Sequence, residues 1–182
     1  MHRSFHFCVL IMSLAVFSSA QKTAVEPFEV NEAGVKVKFP GKPDRSAAVV
    51  DTWYGKGTVI TFMFQSTDRI FRLSIADAGS PLLGDDDFKT RLDVVEKGET
   101  AQWGVPVAKQ KRGEFLGLRG REAVLEGSTV SLITRALFVD TKFVYFTVFI
   151  KGKLSSMTAA DADAARKSVD EFLDSFAYSK PK

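Results

Sequence analysis

Lys142–Lys151 reads KFVYFTVFIK, and from Phe143 to Ile150 it is apolar at nearly every position. A strand with one wet face alternates apolar and polar residues. One that is apolar on both sets of positions needs cover on each side of its sheet. The preceding run, Thr129 to Val139, joins it through Asp140-Thr141 as a hairpin. Two amphipathic segments can supply the covers. After Thr158, read as an N-cap with Asp161 in the capping-box position, Ala165, Val169, Phe172, Leu173 and Phe176 form one apolar stripe. Asp163, Arg166, Lys167, Asp170 and Asp174 stand opposite it. Earlier, Asp85-Asp86-Asp87 place carboxylates where a helix begins, favourable against its positive end. Phe88, Leu92 and Val95 follow at spacings of four and three, and Lys97-Gly98 reads as the helix end.

The rest of the chain is strand-like. Val35, Val37 and Phe39 alternate with Lys36 and Lys38, and Pro40-Gly41-Lys42-Pro43 ends that strand in a turn. Further strands are expected at about Ser46 to Tyr54, Thr58 to Gln65 and Arg69 to Asp77. Two more follow at about Val105 to Arg112 and Leu116 to Leu125, around a glycine-rich bend at Gly113, Gly117 and Gly120. The expected fold is α+β: a largely antiparallel sheet of about six to eight strands with a helix on each face.

The N-terminus has a different character. Arg3 precedes an apolar run from Phe5 to Phe17, and Ser18-Ser19-Ala20 puts small residues at a signal-peptidase site. Residues 1–20 are therefore expected to be a signal peptide cleaved between Ala20 and Gln21, with a secreted or periplasmic product. The run is short of the roughly 20 apolar residues a spanning helix needs. Cys8 lies inside it rather than at the cleavage point, so neither a lipid nor a stable membrane anchor is expected. Removal leaves 162 of the 182 residues, divided into a flexible lead-in over 21–33 and a single domain over 34–178. The formal charge falls from +3 to +2, which gives no reason to expect a nucleic-acid partner. His2, His6 and Cys8 leave together, so the product has no imidazole or thiol. Histidine-dependent triads, thiolate chemistry and imidazole-bound metals are excluded with them, and no cofactor is expected.

Three short segments resemble a known group. Phe39-Pro40-Gly41-Lys42-Pro43 looks like the opening of a set of small secreted bacterial domains. Leu116-Gly117-Leu118-Arg119-Gly120-Arg121-Glu122 resembles their mid-chain turn, with Arg119 where proline is common, and Phe172-Leu173-Asp174-Ser175-Phe176 is similar to their terminal helix. The resemblance implies the PsbP-like α/β/α sandwich, named for a lumenal protein of photosystem II. Its best-known members are assembly or accessory proteins. No ion-site motif of the photosynthetic member can be matched here.

The expected function is accordingly a non-enzymatic binding or accessory domain for an unknown protein or small ligand of the envelope. The candidate contact residues are Trp53 and Tyr54, before the Gly55-Lys56-Gly57 turn, and Arg119 and Arg121, whose guanidinium groups flank Gly120 and could hold an anion. Plainer roles compete with each: rings packed in the core, and a solvated basic turn. Lys109, Lys111 and Arg112 add positive charge nearby, and Trp103 shares the ambiguity of Trp53. Two alternatives stand beside the binding domain. One is a hydrolase working through carboxylates or serine; the other is a calcium- or anion-binding structural domain, with Asp85-Asp86-Asp87 as the candidate calcium ligands and the Arg119–Arg121 turn as the candidate anion site.

Overall fold

The structure is a computed structural model that describes residues 26–52 and 55–180. The N-terminal apolar run, the expected cleavage site at Ala20-Gln21, and Trp53-Tyr54 lie outside the described residues. The elements run β1 (Phe28–Glu32), β2 (Val35–Phe39), β3 (Asp44–Thr52), β4 (Gly55–Gln65), β5 (Arg69–Asp77), α1 (Asp85–Trp103), β6 (Val107–Phe115), β7 (Leu118–Glu126), β8 (Val130–Val139), β9 (Lys142–Lys151), α2 (Ala159–Asp174) and β10 (Ala177–Tyr178). Among the described residues they form a seven-stranded sheet of order β3-β4-β5-β9-β8-β7-β6 and a small sheet of order β1-β2-β10. All paired neighbours are antiparallel.

The doubly apolar strand sits where its composition requires. β9 lies between β5 and β8, with α2 on one face and α1 on the other. Val144, Phe146, Val148 and Ile150 pack into the larger core with Ala165, Val169, Phe172 and Leu173 of α2. Phe172 meets Phe39, Phe71 and Phe146 at centroid distances of 4.9, 5.3 and 5.6 Å, joining helix, small sheet and main sheet in one cluster. The opposite positions of β9 serve α1: Phe143 packs with Phe88, Leu92 and Phe138, and Phe149 with Trp103, Leu125 and Leu132. Thr158 caps α2 as expected, accepting from the Asp161 amide at 3.2 Å while donating to the Asp161 carboxylate at 2.7 Å.

Several expectations are corrected. The Val35–Phe39 strand belongs to the second, smaller sheet rather than the main one. Alternation tells that a strand has one buried face, but not which neighbours it pairs with. Residues 28–32, placed in the flexible lead-in, form β1; Val30 alone there turns inward and is buried, so no alternating signal marks it. The mid-chain glycines divide differently too. The tight turn is Leu116-Gly117, both at positive φ (55° and 75°), the geometry of a two-residue hairpin. Gly120 is mid-strand instead, where a Cβ would stand 2.2 Å from the Ala136 carbonyl oxygen.

The largest correction concerns α1. It does not end at Lys97-Gly98 but continues to Trp103, and Gly104 caps it in the left-handed region (φ 60°). Gly98 lies within the helix, where a glycine costs about 1 kcal/mol against alanine without breaking the hydrogen-bond ladder. The added turn carries Glu99 and Trp103 down onto the sheet.

Candidate functional site

The face of the main sheet beneath α1 carries a polar seam. Register sets Thr134, Thr147, Arg72 and Met63 in one line across β8, β9, β5 and β4. The next line holds Arg121, Ala136, Tyr145, Ser74 and Thr61. Glu99 enters this seam from α1 and is 3% exposed. Thr134 and Tyr145 donate their hydroxyls to one carboxylate oxygen at 2.8 and 2.7 Å, and the Arg121 guanidinium donates to the other. Arg121 Nε in turn donates to Gln110 at 2.9 Å, and Thr61 meets Ser74 at 3.2 Å. Burial, followed by the adjacent Glu99 charge and the hydrogen bond to it, pushes the Tyr145 phenol far above its ordinary value of 10.0. Thr147 is near enough to pull weakly the other way, yet its hydroxyl makes no hydrogen bond of full geometry.

The sequence-predicted arginines fall into quite different settings. Arg121 is 1% exposed, inside β7, and its charge answers Glu99. It is therefore removed from any contact surface: strand alternation points it under α1, whereas a turn would have shown it to solvent. Arg119 is half-buried, bonds Asp85 at 2.7 Å and lies 4.1 Å from the Phe88 ring centroid, pinning the start of α1 to β7. Arg112 bonds Asp93 and Glu96 of α1, both at 2.8 Å, while Lys109 and Lys111 are exposed on the edge strand β6. Asp85 and Asp87 of the acidic helix start are both engaged. Asp87 accepts from Arg91 at 3.0 Å and from the Leu83 amide at 3.0 Å; these bonds, Arg91 first, hold its carboxyl below the ordinary carboxylate value. Arg91 itself clamps the β5–α1 connection through the carbonyls of Ala78, Ser80 and Pro81. Trp103 packs edge-on to Phe149 at 5.0 Å, which makes it a core residue.

Beyond β9 no helix packs on the same face among the described residues. The clusters under α1 draw on β6, β7, β8 and β9, and none of their residues comes from β3, β4 or β5. Met63, Ile70 and Arg72 are half-buried there, and Ser46, Ala48 and Gln65 are exposed. Arg72 stands out chemically. Its Nε is buried without a hydrogen-bond partner, no carboxylate answers it among the described residues, and burial lowers its pKa. The fully buried charged residues differ: Arg91, Arg121 and Arg135 all have carboxylate partners, and Glu99 has Arg121.

No family model matches the chain, and no curated protein sequence does. Solved structures do. The chain is similar to cyanobacterial PsbP from Synechocystis sp. PCC 6803, whose solution structure aligns with a TM-score of 0.54 at 11% identity, over 91% of this chain and 99% of that one. The fold is PsbP-like. At that identity the likeness extends to the arrangement of layers and to no individual side chain. No helix among the described residues is long and apolar enough to cross a membrane.

Within this PsbP-like frame, Glu99, Tyr145 and Arg72 were missed in the sequence. For Glu99 a signal existed: the stripe Phe88, Leu92, Val95 continues by four to 99 and by four again to 103, so a carboxylate occupies an apolar-stripe position. Ending the helix at Gly98 hid it. Arg72 alternates with Phe71 and Leu73 as any solvent-facing residue would, and nothing local distinguishes a half-buried arginine from a wet one.

Proposed function

We propose that this chain is a non-enzymatic accessory domain, working outside the cytoplasm after loss of residues 1–20. It holds a partner through the open part of the α1-side sheet around Arg72. The observation that carries the proposal is the contrast between half-buried Arg72, whose Nε is buried and unpartnered, and the fully buried charges. A partly desolvated guanidinium that meets no carboxylate among the described residues costs stability, and a carboxylate on a partner would supply that counter-charge. Met63 and Ile70 beside it offer apolar area of the kind found at the centre of interfaces. Glu99, the carboxylate the fold buries, has both oxygens occupied by donors. That favours a structural use over general acid–base work, which needs a carboxyl free to exchange its proton.

The test uses the chain from Gln21 as bait in an extract of its own envelope fraction, beside Arg72→Gln. The expected result is a partner retained by the first and released by the second, with both baits showing the same circular dichroism. Equal retention by both would remove Arg72 from the contact. Intact Met1 on the exported protein, read by mass spectrometry, would remove the compartment.

A further inference from the structure

The two edges of the main sheet are built differently. β6 is blunted: its register shifts between Val107 and Lys109, and Lys109, Lys111 and Arg112 are exposed along it. Bulges and edge lysines discourage a further strand from pairing. β3 has neither device. It pairs with β4 in unbroken register from Asp44 to Thr52, and its other side meets no strand among the described residues. Its middle reads Ser46-Ala47-Ala48-Val49-Val50, without lysine or proline. Residues 44–49 are all exposed, and Val49 is 70% exposed. Alternate residues of an antiparallel strand turn their amide and carbonyl away from the existing partner, so about half of the β3 backbone groups offer unused hydrogen bonds.

We propose that β3 pairs with β3 of a second copy of this chain, antiparallel, about a two-fold axis through Ala48, so that one sheet runs through both. The sequence of the strand selects that register. A two-fold axis normal to the sheet keeps corresponding faces together and moves the pairing in steps of two residues. Centred on Ala48, it sets Arg45 opposite Asp51 of the second copy, twice, and Ala47 opposite Val49, twice. Centring on Ala47 or Val49 instead breaks both charge pairs. Arg45 spends its Nε on Glu32 at 3.2 Å, which leaves its terminal nitrogens for a second carboxylate. Asp51 is exposed with no ion pair among the described residues. The small side chains at Ala47 and Ala48 let two backbones approach at the axis. A single-edge contact falls at the small end of specific interfaces, so association is expected at about 10–100 μM rather than nanomolar concentrations.

The absence of cysteine after residue 20 makes the register directly testable. In the chain from Gln21, which contains every described element, Ala48→Cys places two thiols opposite each other on the axis. Antiparallel pairs have Cα atoms about 4.5–5.5 Å apart, within disulfide range. Mild oxidation at about 100 μM should give a disulfide dimer on a non-reducing gel at least tenfold faster than Ser46→Cys or Val50→Cys, which face the same side but not themselves. Sedimentation velocity of the unsubstituted chain should show concentration-dependent dimer. Val49→Lys, at a solvent-exposed position that the fold does not need, should abolish it. Equal cross-linking at 46, 48 and 50, a monomer at all concentrations, or a dimer indifferent to Val49→Lys would each overturn the proposal. None of these results depends on Arg72, so the two surfaces stand or fall separately.

Discussion

Replacing Arg121 by methionine keeps an unbranched side chain in the slot beneath α1 and removes the charge that answers Glu99. Both residues are almost wholly buried, so water cannot take over the role. Breaking a buried pair from one side costs about 3–5 kcal/mol, because the remaining charge is stranded in a poorly solvating interior. That is a large share of the roughly 5–15 kcal/mol that holds a domain folded. For a chain of this size it corresponds to a fall in Tm of about 6–20 °C. Removing the whole cluster is expected to be gentler. Glu99→Leu with Arg121→Met eliminates both charges, and adding Tyr145→Phe removes one of the hydroxyls left without an acceptor. Thr134 would still lose its acceptor, a penalty of about 1–3 kcal/mol. The triple variant should therefore be more stable than Arg121→Met alone. Urea unfolding followed by tryptophan fluorescence measures both, with an unchanged m-value as the check on two-state behaviour. An Arg121→Met cost under about 1 kcal/mol, or a triple variant no better than the single one, would refute the account of the seam as a mutually neutralising set.

The two glycines that misled the sequence reading should respond in opposite directions. Gly98→Ala has open space within the helix and should stabilise by about 0.5–1 kcal/mol, whereas Gly120→Ala drives a Cβ into the Ala136 carbonyl and should destabilise strongly, both read from the same urea curves. Tyr145 should give the fold an alkaline weakness. Its folded pKa is raised above 10.0, so its contribution is complete below that pH and is lost as pH climbs toward the folded value. Ultraviolet titration should show this phenol ionising together with unfolding, and Tyr145→Phe should flatten the alkaline part of the stability profile.

Much of the architecture was legible because it follows from local periodicity. The doubly apolar run at Phe143–Ile150 required cover on both faces, and the stripes at Phe88–Val95 and Ala165–Phe176 identified the covers. Thr158 announced its helix by cap chemistry alone. The two sheets were not separable in this way, since β2 and the outer strands of the main sheet share the same alternation. Of the predicted contact residues, Arg119 and Arg121 flank Gly120 and so share the strand face beneath α1, but they meet opposite ends of that helix: Arg119 bonds Asp85 at its start and Arg121 bonds Glu99 near its end, a difference that depends on where the helix lies across β7.

Composition and pattern by themselves determined the fold class, the need for cover on both faces, and the confinement of every histidine and cysteine to residues 1–20. Tertiary structure alone decided which charges answer one another and which edge strand is left without a second neighbour among the described residues. Periodicity is a property of consecutive residues. The Glu99–Arg121 pair, the Arg72 guanidinium that meets no carboxylate among the described residues and the β3 edge that meets no second strand among them depend instead on which strands become neighbours, and that is set by packing across the whole sheet.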